Sequence, residues 1–255
     1  MPSKDATEKA ASSAETLTDQ AYNRLEEMIV TLELAPGSLL SEQALSLRLG
    51  IGRTPIREAL LRLSGERLVI FQQNQSIQVS GVDLAQINDL YTLRLHLERL
   101  AWRLWLERAT QEQVERLTHI FDPAAAMQRQ GDIEGIIDLD FLFHSQVYQE
   151  CGNALLTKTL YSLSGLTYRL WFMTNNGDVR AQAQTAYSHA PIIEAVTRRD
   201  FERLDAEISG HIANAYQKIM DSFTTRAVSR IGDMPIRKLT KREERDVKAG
   251  VARQA

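Results

Sequence analysis

Gly50-Ile51-Gly52-Arg53-Thr54-Pro55-Ile56-Arg57-Glu58-Ala59-Leu60 writes the end of one helix and the start of the next in local code. Gly50 is a helix stop. Thr54 has the chemistry of an N-cap, its hydroxyl accepting an orphan backbone N–H. Pro55 follows at what is then the first helical position, where a missing N–H costs nothing. Arg53 and Arg57 flank that start, and Arg62 follows. A helix N-terminus attracts anions through its free N–H groups and dipole, and arginines there make a tip fitted to phosphates and base edges. An ordinary capped helix with surface arginines explains this stretch equally well by itself.

The flanks narrow the choice. Tyr22, Leu25, Met28, Ile29 and Leu32 share one helical face, and Ala35-Pro36-Gly37 breaks that helix. Ser41 can cap a second helix, which ends at Gly50. The third runs from Thr54 to about Arg67, with Ile56, Ala59, Leu60 and Leu63 inward. Val69-Ile70-Phe71 and Ile77-Gln78-Val79 then bracket a polar tip, the pattern of a hairpin. Three helices and a hairpin make a winged helix-turn-helix, expected over 16–80. Between Arg48 and Arg67 five arginines face two glutamates. The whole chain carries a net charge of −3, so positive charge is concentrated where a reading helix would lie. Ser41, Arg48, Arg53, Thr54, Pro55, Arg57 and Arg62 are the candidate DNA-contacting residues.

From Val82 the period is helical throughout, over about 83–108, 110–129, 133–151, 153–175, 180–198 and 200–223. The fold class expected is mainly α, with the winged helix-turn-helix followed by an all-α antiparallel bundle over 83–225. Residues 1–15 read as a disordered arm and 226–255 as a flexible basic tail. A hydrophobic content of 44% supports real cores. Cys151 is the only cysteine, which excludes an intrachain disulfide framework and fits a reducing cytoplasm. No apolar run is long enough for a membrane span, and the N-terminus does not read as a signal peptide.

Polar residues on the apolar stripes carry the second signal. Ile133, Ile136, Ile137, Phe141, Val147 and Tyr148 mark one face, and Asp140 and His144 fall on it one turn apart. A carboxylate among isoleucines is costly unless it is paired or binds a metal. His189 lines up with Ile192, Ile193 and Val196, and His211 with Leu204, Ile208 and Ile219. One such histidine alone reads as a hydrogen-bonded core residue. An Asp-x3-His pair with two further inward histidines favours a divalent ion, with Zn²⁺ first and Ni²⁺ or Mn²⁺ as alternatives. Arg94 is inward on the stripe of Ile87, Leu90, Leu97 and Ala101, and an inward guanidinium wants a carboxylate. That carboxylate is either a ligand's or that of nearby Glu98. Arg169 is a weaker candidate of the same kind, and Asn214 is a third candidate ligand contact.

Taken together, these motifs make the chain resemble the GntR family of bacterial transcription regulators, in the FadR-type subfamily with an FCD ligand domain. The DNA-binding pattern lies in Ala35-Pro36-Gly37, Leu40-Ser41-Glu42 and Gly52 through Leu60. The ligand-domain pattern lies in Arg94-x3-Glu98, Asp140 through His144, Gly152-Asn153-x-Leu155-Leu156, His189 and His211. The resemblance implies a metal held by Asp140, His144, His189 and His211. It also implies a homodimer on a pseudo-palindromic DNA operator. A small organic acid completing the metal coordination and pairing with Arg94 would control operator affinity. Gly52 stands where the family usually has Ser, Arg67 where it has Gly, and Gln75-Ser76 where it has an Arg-Gly wing tip. A metal-dependent enzyme using the Asp/His set is the alternative. It leaves the helix-turn-helix unexplained, and no general base stands out beside the ligands.

Overall fold

The computed structural model describes residues 15–73, 76–174 and 189–232. The arm up to residue 14, the wing-tip residue Gln75, the expected helical turns of 180–188 and the tail beyond Gly232 lie outside the described residues. Helix α1 (Leu17–Val30) starts at Thr16, whose hydroxyl accepts from the Asp19 amide. It ends two residues earlier than its apolar face implies, because Leu32 adopts a left-handed φ of 68°. Ser41 caps α2 (Glu42–Leu49) as expected, accepting from Ala44 N–H, and Gly50 closes it at φ 67°.

Helix α3 (Arg53–Gly65) has its cap and first residue two positions before those expected at Thr54 and Pro55. Gly52 is its N-cap and supplies no side-chain hydrogen bond, so Thr54 lies inside the helix. Pro55 is then the third helical residue, still within the first turn where an N–H has no helical acceptor. A Cβ on Gly52 would touch Pro55 Cδ at 3.7 Å, an ordinary contact, so there is room for the serine usual there. The helix stops at Gly65, short of Arg67, which turns the chain at φ 62°. That conformation is the reason a glycine fits this position.

Strands β2 (Val69–Phe71) and β3 (Ile77–Val79) form the hairpin, with Val69 opposite Val79 and Phe71 opposite Ile77. A third strand, β1 (Leu39–Leu40), was too short to leave a sequence signal and pairs antiparallel with β3, giving the order β1-β3-β2. Leu25, Ile29, Ile56, Leu60, Leu63 and Leu68 are fully buried between α1, α3 and the sheet, and Leu166 of a later helix packs against this core.

The helical part comprises α4 (Leu84–Arg108), α5 (Gln111–Thr118), α6 (Ala124–Gln130), α7 (Ile133–Glu150), α8 (Ala154–Thr174), α9 (Ala190–Thr197) and α10 (Phe201–Gly232). The single helix expected over 110–129 is two, because Pro123 cannot continue the ladder of α5 and instead opens α6. The expected end near 223 also gives way, since helix persists to Gly232 and claims the first residues of the expected flexible tail. The chain divides into two compact units, one reaching Ile219 and one starting at Met220. Phe141, expected inward, is 39% exposed, while Phe143 is fully buried. No described helix is long and apolar enough to cross a membrane.

Helix α1 lies against α8 where Gly165 leaves room. A Cβ there would come within 2.9 Å of both Glu26 Oε1 and Leu68 Cδ1. Burial, then the charge of Glu66, pushes the Glu26 carboxyl up to about 7. A raised folded-state value favours the protonated acid, so this contribution is complete below the unfolded value and is lost as pH rises through the folded one. Glu26→Gln should therefore melt above wild type near pH 8, and the two midpoints should converge near pH 4. Replacing Arg67 by Gly should add about 1 kcal/mol by relieving the left-handed conformation, read as a higher denaturation midpoint at unchanged m-value.

Candidate metal centre and DNA-reading tip

Asp140 and His144 project from successive turns of α7, His189 sits at the N-cap of α9 and His211 comes from α10. Each offers a ligand atom, and these atoms all lie within 4.8 Å of one another. His189 Nε2 is 3.3 Å from Asp140 Oδ1. The His189 and His211 ring centroids are 4.6 Å apart, and those of His144 and His211 are 5.3 Å apart. His144 and His189 are inaccessible, while Asp140 and His211 are half-buried. All four candidate ligands thus converge from three helices. Phe121 stacks on the His189 ring at 4.6 Å and 16°, and Phe143 meets that ring edge-on, which fixes its plane.

The electrostatics suit a cation. Burial alone would raise the pKa of Asp140, but the hydrogen bond from His189 and the fields of the three histidines hold it below the usual carboxylate range. Tyr168 OH donates to its other oxygen at 2.8 Å. Burial, then His189 and His144, pushes His211 well below the ordinary histidine value, so the ring is neutral and offers a lone pair. His144 Nδ1 lies 2.9 Å from Glu98 Oε2, while its Nε2 is buried with no hydrogen-bond partner. An orphaned ring nitrogen beside a carboxylate and two more imidazoles is what a borderline divalent ion satisfies.

Beside the cluster opens a cavity of about 450 Å³ whose walls include Arg94, Asp140, His144, Tyr168, His211 and Asn214. Arg94 and Asn214 therefore reach the candidate ligand space. Arg169 does not. Its Nη1 donates to the Ser80 carbonyl at 3.1 Å and to Ser80 Oγ at 2.9 Å, anchoring α8 to the segment that follows β3. The apolar stripe gave its burial but not the direction in which it turns. Of the two partners weighed for Arg94, the nearby Glu98 is the one it pairs with, while the contacts of Glu98 to His144 and Tyr148, and of Tyr168 to Asp140, were not anticipated. Glu98 is 0% exposed and accepts from Arg94 Nε, Arg94 Nη2, Tyr148 OH and His144 Nδ1. Burial works against its charge, but His144 and Arg94 hold it well below the usual carboxylate range. Its place on the stripe of Tyr91, Arg94, Ala101 and Trp102 was the available signal.

At the other end, Arg53 and Arg57 stand on the first turn and a half of α3 with side chains 67% and 62% exposed. Arg57 Nη1 is 3.0 Å from Glu42 Oε1 and Arg53 Nη2 is 3.8 Å from Glu42 Oε2, so an acid of α2 tethers both. Thr54 is exposed beside them and Pro55 is half-buried. Arg62 turns the other way. Its guanidinium lies 3.6 Å over the Tyr22 ring and pairs with Asp19 of α1. Arg48 pairs with Glu33. Ser41 is committed to the α2 cap.

Residues 17–79 match the sequence profile described as "Bacterial regulatory proteins, gntR family", and residues 89–214 match the FCD domain. The chain is 30% identical over 209 residues to an HTH-type transcriptional regulator from an unstable DNA locus of Streptomyces ambofaciens, covering 78% of this chain and 83% of that one. It is 28% identical over 209 residues to the HTH-type transcriptional regulator McbR of Escherichia coli, covering 80% and 94%. The solved structure of E. coli McbR superposes with a TM-score of 0.74 at 22% identity, over 82% of this chain and 99% of that one. A GntR regulator from Rhodococcus sp. RHA1 gives 0.67 at 20% identity, over 80% and 97%. These two likenesses show the shared fold.

Removing one partner of a buried pair strands the other charge, whereas an exposed pair is worth little. Arg94→Met should cost about 3–5 kcal/mol in chemical denaturation. Arg99→Ala, which breaks the exposed pair with Asp205, should cost under about 1 kcal/mol.

Proposed function

Because the chain belongs to the GntR family of bacterial regulatory proteins, in the branch with an FCD domain, we propose that it is a transcription regulator, a repressor, whose operator affinity is set by a small carboxylate bound beside a metal ion. The observation that carries this reading is the convergence of Asp140, His144, His189 and His211, of which Asp140, His144 and His211 line the cavity that also contains Arg94 and Asn214. Those four residues would hold the ion, with Zn²⁺ preferred by the donor set and Ni²⁺ or Mn²⁺ as alternatives. The ion would supply a positive centre for an organic acid. Arg94, with its Nε and Nη2 engaged by Glu98, would turn its remaining Nη1 side to the same acid. The relatives named above are transcription regulators, which favours this reading over metal-assisted hydrolysis.

On the DNA side, two copies would set two α3 tips in successive major-groove faces of a pseudo-palindromic site. Arg53, Thr54 and Arg57 would make the base and phosphate contacts. DNA phosphates would compete with Glu42 for Arg57. The effector changes operator affinity only to the extent that it prefers one arrangement of the dimer.

Selection of bound duplexes from a random pool should return a two-half-site sequence. Arg53→Ala with Arg57→Ala should weaken binding to it at least tenfold, since each such contact is worth about 1–3 kcal/mol. A random-sequence output would contradict operator recognition. Elemental analysis should find about one divalent ion per wild-type chain and far less in the His189→Ala, His211→Ala double variant. Equal metal in both proteins rules out the site. In an anisotropy titration, at least one small di- or hydroxycarboxylate should shift operator affinity. A full panel without effect removes the effector class.

A further inference from the structure

We propose that Glu98 is a positioning residue for the metal centre, holding His144 in the tautomer whose Nε2 lone pair faces the other ligands, and that it fixes Arg94 at the same time. This rests on the metal reading of the Asp/His cluster. Glu98 does not line the cavity beside the cluster and is not one of the four candidate ligands. It lies on α4 at 0% exposure, and both of its oxygens are occupied. Oε2 takes His144 Nδ1 at 2.9 Å. Oε1 takes Tyr148 OH at 2.7 Å, Arg94 Nε at 3.1 Å and Arg94 Nη2 at 2.5 Å. An ionised carboxylate only accepts, so His144 must carry its proton on Nδ1. In the neutral ring the remaining nitrogen, Nε2, is then an acceptor, buried without a hydrogen-bond partner and within 4.8 Å of ligand atoms of Asp140, His189 and His211. An unmatched buried acceptor costs free energy, which a metal ion at Nε2 would recover. Carboxylates that bind the second nitrogen of a ligating histidine fix its tautomer and ring plane, and losing one costs about 10–100-fold in metal affinity.

The four hydrogen bonds give the proposal its specificity. Tyr148 lies one turn beyond His144 on α7 and binds the same carboxylate, but does not contact the imidazole through a hydrogen bond. Removing its hydroxyl perturbs the network and leaves the Glu98–His144 bond in place.

The test uses the full-length protein with Zn²⁺ as the probe, in competition with a chromophoric chelator. Glu98→Gln should lose about 10–100-fold in Zn²⁺ affinity, and Tyr148→Phe should stay within about twofold of wild type. Wild-type affinity in Glu98→Gln overturns the proposal, as does an equal loss in both variants. The Co²⁺-loaded proteins supply a spectroscopic check, since the ligand-field bands should shift in Glu98→Gln and not in Tyr148→Phe. If Glu98→Gln does not fold, long-range imidazole ¹H–¹⁵N correlation of the metal-free wild type still decides. Recorded at a pH where the ring is neutral, an Nδ1-protonated His144 supports the assignment and an Nε2-protonated one overturns it. Wild-type protein that takes up neither Zn²⁺ nor Co²⁺, with a His144→Ala control unchanged, defeats the metal reading itself. The imidazole spectrum separates that result from failure of the Glu98 contact.

Discussion

A carboxylate with no exposure inside a helical bundle is tolerated only if its charge is answered, and the FCD part of this chain is organised around one that is. Glu98 draws Arg94 from its own helix and His144 and Tyr148 from α7. Burying a charge costs several kcal/mol, and attraction repays it only when the geometry is good and the lone pairs are filled. That condition fixes α4 against α7 and aims His144. It also leaves only part of the Arg94 fork for anything in the cavity. The candidate metal centre, the cavity wall that contains Arg94 and the core of Trp102 and Phe143 share one electrostatic constraint.

The sequence carried much of this because the local code is strong. Ser41 and Gly50 bounded α2, and the alternation around the polar tip marked β2 and β3. The placing of Asp140, His144, His189 and His211 on apolar stripes anticipated their convergence. What it missed has a common physical origin. The acceptors of Glu98 are filled by residues 46 and 50 positions away, and no window of helical period contains both ends. Arg169 read as inward, but inward has two sides, and the one it faces is the segment after β3. The N-cap of α3 was misplaced by two residues, Thr54 for Gly52, because a capping threonine and a capping glycine stood two apart, and only the backbone angles distinguish them. The helix expected over 110–129 took no account of Pro123, which opens α6.

The tip of α3 and the helical part treat arginine in opposite ways. Arg53 and Arg57 remain in solvent, held loosely by Glu42, where a phosphate can displace the acid at small cost. Arg94 and Arg169 are buried, one against a carboxylate and one against a carbonyl and a hydroxyl. Burial pulls Arg169 down to about 10, so it keeps its charge at neutral pH.

Helix α8 serves both domains from consecutive residues. Tyr168 reaches Asp140, and Arg169, about 100° round the helix, grips Ser80. Ser80 in turn donates to the Arg67 carbonyl at the turn leaving α3. Substitutions along α8 can be absorbed one at a time, but its length cannot change. One residue gained or lost between Gly165, which admits α1, and Tyr168 would rotate the tyrosine away from the aspartate or the glycine away from α1. Among divergent relatives, insertions should therefore gather in the loops around α8, with the spacing between its small residue and its tyrosine kept constant.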